Sequence, residues 1–306
     1  MCRFYRTCLF VMCLQVVSSH GIAETTQPPQ PPAAETPQPA TVPANPSALE
    51  RRIASETDTR FKTFVLSPHK PNYIMPYTYN TTPNQAPFDS TTGYVVDNVE
   101  IKFQVSIKFA IADHLFGEEG SIYFAYTNLS FWQAYNSDAS SPFRETDHEP
   151  EVFVTIPNDW KIGGFTNRLN MIGLSHQSNG RSGSQSRSWN RVYADMLFER
   201  GDFYFSIKPW IQISDVGEDD NPDIQDYLGH GELRAAYADG KHTASLMLRN
   251  NLQALNHGAA ELNYSYPMSR RVKWFLQYFN GYGESLIDYN AYTHRFGIGI
   301  ALTDWL

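Results

Sequence analysis

Beyond its first few residues the chain contains no cysteine. Cys2, Cys8 and Cys13 are the only three, and all fall in a segment that reads as a removable leader, so disulfides and thiolate metal sites are excluded from the mature protein. Long hydrophobic runs are also missing. After Val17 nothing approaches the roughly 20 consecutive apolar residues of a helical membrane span, and mean hydropathy is −0.42. This excludes a helical membrane protein but not an outer-membrane barrel, whose hydrophobicity is hidden in alternation. Positive charge is in deficit as well. Lys and Arg number 24 against 32 Asp and Glu, for a formal net charge of −8, which becomes more negative once Arg3 and Arg6 leave with the leader. That balance argues against nucleic acid as a partner.

What is present begins with a basic start at Arg3 and Arg6, an apolar stretch from Leu9 to Val17, and the small-residue ending Gly21-Ile22-Ala23. Residues 1–23 read as a secretory signal, since the apolar stretch is too short for a transmembrane anchor. Residues 24–63 form a linker and lead-in. Pro28, Pro29, Pro31, Pro32, Pro37, Pro39, Pro43 and Pro46 stand among Ala, Thr and Gln, a composition that cannot bury a core, so an extended spacer is expected as far as residue 50. The folded part is expected to begin near Phe64 and to occupy residues 64–306.

The clearest strand starts at Val99. Ile101, Phe103, Val105, Ile107, Phe109 and Ile111 occupy one face, and Glu100, Lys102, Gln104, Ser106 and Lys108 the other. The period is two without a break. Its length exceeds the usual five or six residues of a soluble strand and suits the roughly 9 to 11 that cross a bilayer at a tilt. Similar segments are Tyr73–Tyr79, Ser121–Gln133, Glu149–Ile156, Phe165–Ser178, Ser188–Arg200, Phe203–Ser214, Leu228–Ala238, His242–Asn250, His257–Tyr266, Arg271–Tyr282 and Thr293–Asp304. With the strand at 98–112 they make about twelve, an even number. Connections alternate between tight turns, such as Gly201-Asp202, and longer polar loops, such as Asn179–Arg187. The expected fold is an all-β, antiparallel transmembrane β-barrel with short inside turns and long outside loops. An up-and-down soluble barrel is the alternative. Glu100, Lys102, Lys108, Arg191, Asp195 and Glu199 would face a polar interior small enough for paired side chains to fill, with no open channel.

Chemistry concentrates in Gly173-Leu174-Ser175-His176-Gln177-Ser178-Asn179-Gly180-Arg181 and Ser188-Trp189-Asn190-Arg191. Counting back from Ser178 by twos gives His176, Leu174 and Ile172; counting forward from Asn190 gives Val192, Ala194 and Met196. A base, a nucleophile and an amide therefore lie on the apolar faces of two adjacent strands. Ser178 is a poor nucleophile until a base takes its proton, and His176 is near enough to do so. Asn190 could accept from the other imidazole nitrogen and fix its tautomer, as an Asp does in many hydrolases. An amide does this without the cost of an unpaired carboxylate at a lipid-facing site. A His-x-Ser pair alone is a weak signal, because polar residues at a strand end often just meet the interface.

His176-Gln177-Ser178-Asn179-Gly180-Arg181-Ser182 followed by Ser186-Arg187-Ser188-Trp189-Asn190 resembles the outer membrane phospholipase A family. So do Ser140–Thr146, Asp219–Ile224 and Gly281–Asn290, and the similarity covers roughly residues 64–306. The resemblance implies a calcium-dependent, integral outer-membrane enzyme that hydrolyses sn-1 and sn-2 acyl esters of phospholipids, and lysophospholipids, and is activated as a homodimer. It implies Ser178, His176 and Asn190 as the triad, with the Gly180 N–H helping to hold the oxyanion. It further implies Ca2+ near Arg181 and Ser186, with Ser140 supplied by a second subunit. The loop Asn179–Ser186 has no carboxylate and so does not look like an ordinary calcium loop. Gly183 departs from an acidic residue of some relatives, which weighs against a second calcium site, and Asn128 stands where some have Gln at the dimer face. The acidic run Glu218–Asp223 is read as solvated loop charge rather than a metal site. A catalytically silent, porin-like barrel and a lipid A deacylase are the alternative functions, the latter opposed by Asn190 and the Arg181–Ser186 pattern.

Overall fold

A computed structural model describes residues 46–59, 62, 65–89, 93–115, 120–213 and 220–305. The signal, most of the proline-rich segment, Phe64, Ser214, Glu218, Asp219 and Leu306 lie outside the described residues. Twelve long strands run in order: β1 Asn72–Asn80, β2 Val99–Ala112, β3 Ser121–Trp132, β4 Phe143–Pro157, β5 Phe165–Ser178, β6 Ser188–Arg200, β7 Phe203–Ile213, β8 Gly231–Ala238, β9 Thr243–Asn250, β10 Gly258–Pro267, β11 Lys273–Tyr282 and β12 Tyr292–Thr303. Each pairs antiparallel with the next, and β12 pairs with β1 through Phe296↔Tyr79 and Ile298↔Tyr77, so the sheet closes on itself. Closure removes the edges whose unpaired backbone groups hydrocarbon would leave unsatisfied. Among the described residues no helix is long and apolar enough to cross a membrane.

The outer surface is the apolar one. Ile172, Leu174, Ile211, Leu233, Leu248, Leu262, Phe296 and Ile298 are all exposed, and Ile211 retains 73% of its accessible surface. Exposed Phe203, Tyr266 and Trp274 stand near one end of the strands, and exposed Tyr135, Phe143 and Tyr292 near the other. This is the arrangement of a lipid-facing band with aromatic girdles. The inner surface is ionic. Arg144 pairs with Glu100 at 3.0 Å and with Asp288 at 2.7 Å; Arg295 pairs with Glu284 and Glu100, both at 2.7 Å; Lys102 reaches Glu284 at 2.9 Å. All six side chains are essentially buried. The three cations also surround one face-accessible ring, Phe131, at 5.0 to 5.3 Å from its centroid, adding cation–π attraction where water is absent. Nearer the short-turn end Lys70 bridges Glu149 and Glu151, and Arg191 meets Glu149 at 2.8 Å.

Two strand boundaries differ from the sequence reading by more than two residues. β4 begins at Phe143, not Glu149, because Glu145, Asp147 and Glu149 point inward while Thr146, His148 and Pro150 point outward. The alternation is real but neither face is hydrophobic there. Leu228 belongs to a short helix, Ile224–Leu228, ended by Gly229 at φ 66°, so β8 starts only at Gly231.

The fold also begins earlier than the expected start near Phe64. Helix α1, Ala48–Thr59, occupies residues assigned to the linker. Ser47 and Glu50 form a reciprocal capping box: the Glu50 N–H donates to Ser47 Oγ at 3.0 Å and the Ser47 N–H donates to Glu50 Oε2 at 2.9 Å. Leu49 packs with Tyr204, Ala236 and Ala238. Glu50 pairs with Arg168 and Glu56 with Lys108, and Arg52 donates to the Trp305 carbonyl at 2.6 Å. Burial alone would raise the Glu56 carboxyl, but Lys108 and Arg52 hold it below the usual carboxylate range. α1 thus ties the bases of β2, β5 and β7 together across the short-turn end.

Removing Arg295 would leave Glu100 and Glu284 each short of a buried counter-charge. Arg295→Met is expected to destabilise the folded barrel by about 3 to 5 kcal/mol, read as a lowered guanidinium midpoint in detergent; an unchanged midpoint would mean the inner network carries no net stability.

Candidate active site

The site is built on the hairpin β5–β6. Its register sets His176 directly opposite Asn190 and Ser178 opposite Ser188. Side chains of directly paired residues share a face, so His176 and Asn190 meet on the outside of the barrel, where His176 is exposed and Asn190 half-buried. His176 Nδ1 lies 2.7 Å from Asn190 Oδ1. With the amide oxygen as acceptor, Nδ1 carries the proton and the unprotonated Nε2 is left for the neighbouring serine, two residues along the same face. Ser178 is the last residue of β5, and the Gly180 N–H donates to its Oγ at 3.1 Å. That N–H therefore sits beside the point where an acyl oxygen would develop charge. Gly180 has φ 64°, a left-handed conformation that residues with a Cβ rarely adopt.

The loop holding this N–H is organised from inside by Asn179, which is buried. Its Oδ1 accepts from the N–H groups of Arg181 (3.2 Å) and Arg187 (3.1 Å), and its Nδ2 donates to the Gln185 carbonyl (2.9 Å) and to Glu145 (3.0 Å). Glu145 in turn receives the Ile287 N–H. The sequence reading did not single out Asn179; its signal was the Asn-Gly turn pair itself. Beneath the hairpin, Trp189 is fully buried and packs edge-on against Trp210, an inner support for the two strands.

Of the residues expected near calcium, Arg181 and Ser186 share this loop and Ser140 stands in the β3–β4 loop with φ 57°. The Arg181 guanidinium is engaged with Glu145 at 3.2 Å, Gln185 at 2.9 Å and the Phe143 carbonyl at 3.3 Å, so only its main-chain carbonyl suits a cation. Ser186 Oγ donates to Asp220 Oδ2 at 2.5 Å. This brings a carboxylate to a loop that has none of its own, while Asp220 itself stays exposed, in keeping with solvated loop charge. A hydroxyl, a carboxylate and main-chain carbonyls are a donor set that fits a hard cation. Among the described residues no group of three or more His, Cys, Asp or Glu could hold a metal.

An exterior serine, histidine and asparagine on a closed twelve-stranded membrane barrel define a narrow class of outer-membrane enzyme scaffold. The model of the Phospholipase A1 family matches residues 49–302. Phospholipase A1 of Klebsiella pneumoniae is 37% identical over 276 residues, covering 89% of this chain and 94% of that protein. The structure of outer membrane phospholipase A from Escherichia coli superposes with a TM-score of 0.77 at 37% identity, covering 83% of this chain and 98% of that one. It has also been solved as an asparagine-to-alanine active-site mutant. The Salmonella typhi outer membrane phospholipase, a dimer with bound calcium, gives a TM-score of 0.76 at 37% identity over 80% of this chain and 95% of that one. The chain belongs to the Phospholipase A1 family and is an integral outer-membrane protein.

Asn190→Ala removes the acceptor that fixes the His176 ring. The expected result is a fall of about 10- to 100-fold in kcat on an acyl ester with KM nearly unchanged; an unaltered kcat would show that the ring is oriented by something else.

Proposed function

We propose that this barrel hydrolyses acyl ester bonds of phospholipids, at sn-1 and sn-2, and of lysophospholipids, through a Ser178–His176–Asn190 triad. The observation that carries the reading is the 2.7 Å contact between His176 Nδ1 and Asn190 Oδ1 on the lipid face, beside a serine whose Oγ already receives the Gly180 N–H. His176 Nε2 takes the Ser178 proton as Oγ attacks the ester carbonyl. The carbonyl oxygen becomes an oxyanion within reach of the Gly180 N–H, a donor fixed before the reaction by the Asn179 turn. On collapse, the ester C–O bond breaks and His176 returns its proton to the departing lysophospholipid oxygen. His176 then deprotonates a water that attacks the acyl-Ser178 ester, releasing the fatty acid and restoring the serine. Asn190 holds the imidazole through both halves without placing a charge in lipid.

The arrangement also suits calcium held by Ser186 and the Arg181 carbonyl, with Asp220 adjacent and Ser140 contributed by a second subunit. When bound, the ion adds positive charge beside the oxyanion. A shared ion links calcium binding to homodimer formation, so either should raise the other's affinity. The substrate enters laterally from the outer leaflet, because the triad faces the lipid band and not the lumen. Residues 1–23 act as the export signal in this reading, with the proline-rich segment as a spacer.

The test is fatty acid release from phospholipid–detergent micelles by the folded protein, titrated with calcium and then with chelator. Calcium-dependent release that falls at least a thousandfold in Ser178→Ala is expected. Release that persists in the variant, or that ignores chelator, would contradict the nucleophile or the calcium requirement respectively.

A further inference from the structure

A second histidine borders the nucleophile on the lipid face. β4 pairs with β5 so that His148 lies directly opposite Ser178, and in an antiparallel ladder such partners have Cα atoms about 4.5 to 5.5 Å apart. The outward alternation of β4 puts His148 on the same surface as Ser178 and His176. Its ring reaches over the oxyanion turn, since a Cβ built on Gly180 would meet His148 Cδ2, the carbon bonded to Nε2, at 3.9 Å. The other nitrogen is occupied: Tyr126 Oη lies 2.6 Å from His148 Nδ1, and the two rings are near-parallel with centroids 6.2 Å apart. A tyrosine hydroxyl that donates to Nδ1 leaves the ring proton on Nε2, the nitrogen bonded to the Cδ2 that neighbours Gly180.

A phospholipid bound for attack at Ser178 carries its phosphodiester one glycerol arm away from the ester carbonyl, a separation comparable to one strand spacing. The nearby loop cations make their hydrogen bonds within the loop and to its neighbours. Arg181 is committed to Glu145, Gln185 and main-chain carbonyls, and Arg187 donates to the carbonyls of Ser184 and Ser186 while lying against the Tyr289 ring. The oxyanion position already has the Gly180 N–H.

We propose that His148, oriented by Tyr126, is a substrate-binding residue whose Nε2–H donates to the phosphodiester of the phospholipid and makes the enzyme prefer phosphorylated lipids over neutral acyl glycerols. The proposal rests on Ser178 being the nucleophile. It assigns to β4 a recognition role separate from the chemical role of β5 and β6.

The experiment compares wild type, His148→Phe and His148→Gln, each verified as folded, on a phosphatidylglycerol and on the diacylglycerol of the same acyl chains in the same detergent micelles. A hydrogen bond to a charged oxygen is worth about 10- to 100-fold in binding. His148→Phe is therefore expected to lower kcat/KM for the phospholipid by at least about tenfold, through KM, while leaving the diacylglycerol rate unchanged. His148→Gln, whose amide can place an N–H near the position of Nε2, should recover most of the preference, an effect that simple packing by the ring would not produce. Parallel losses on both substrates, or no loss on either, would overturn the proposal. Hydrolysis of either lipid by Ser178→Ala would instead overturn the nucleophile assignment on which it rests.

Discussion

Inside hydrocarbon a strand's N–H and C=O groups can be satisfied only by another strand, and the rest of this molecule follows from that requirement. The sheet must close, which it does where β12 meets β1. Closure with alternating side chains then forces half of every strand inward, where charged side chains crowd around a cavity of about 290 Å³. Those charges have to neutralise one another. The Arg144, Arg295 and Lys102 cations against Glu100, Glu284 and Asp288 do so in one connected group. The same network anchors the long β11–β12 loop, which supplies Glu284 and Asp288. A rigid, ion-paired interior is thus what holds the exterior site in place.

The site depends on the same ladder in a second way. A one-residue slip between β5 and β6 would turn one of His176 and Asn190 into the lumen, and the 2.7 Å contact between them would be lost. Register is pinned by the apolar residues that share their outward face, Leu174 and Val192, and by Trp189 packed beneath. The geometry of the proposed triad is therefore a consequence of which face is apolar. The loop adds only what strands cannot supply, a left-handed glycine whose N–H turns back to the serine, and Asn179 holds that turn from below.

How much of this was legible in the sequence varied with the kind of signal. β2 was plain because its two faces differ as sharply as apolar and charged residues can. The first half of β4 was not, since inward Glu145 and Asp147 alternate with outward Thr146 and His148, and no hydropathy contrast marks the strand. α1 carried its capping box in Ser47 and Glu50, but the adjoining proline-rich composition drew the boundary too late. The facing of His176 and Asn190 could be read because a single loop joins their strands, so counting by twos sufficed. Asp220 beside Ser186, and His148 beside Ser178, are contacts between segments far apart in sequence; they depend on loop packing and barrel register that no local pattern encodes.

In the proposed mechanism, Ser178, on the outside of a membrane barrel, is an activated nucleophile. The most direct measurement is covalent labelling of the folded, calcium-loaded protein with an alkyl sulfonyl fluoride, followed by mass spectrometric mapping of the modified residue. Modification at Ser178 that is lost in His176→Ala is the expected result. Labelling at another residue, or labelling of Ser178 that proceeds at the same rate without the histidine, would contradict it.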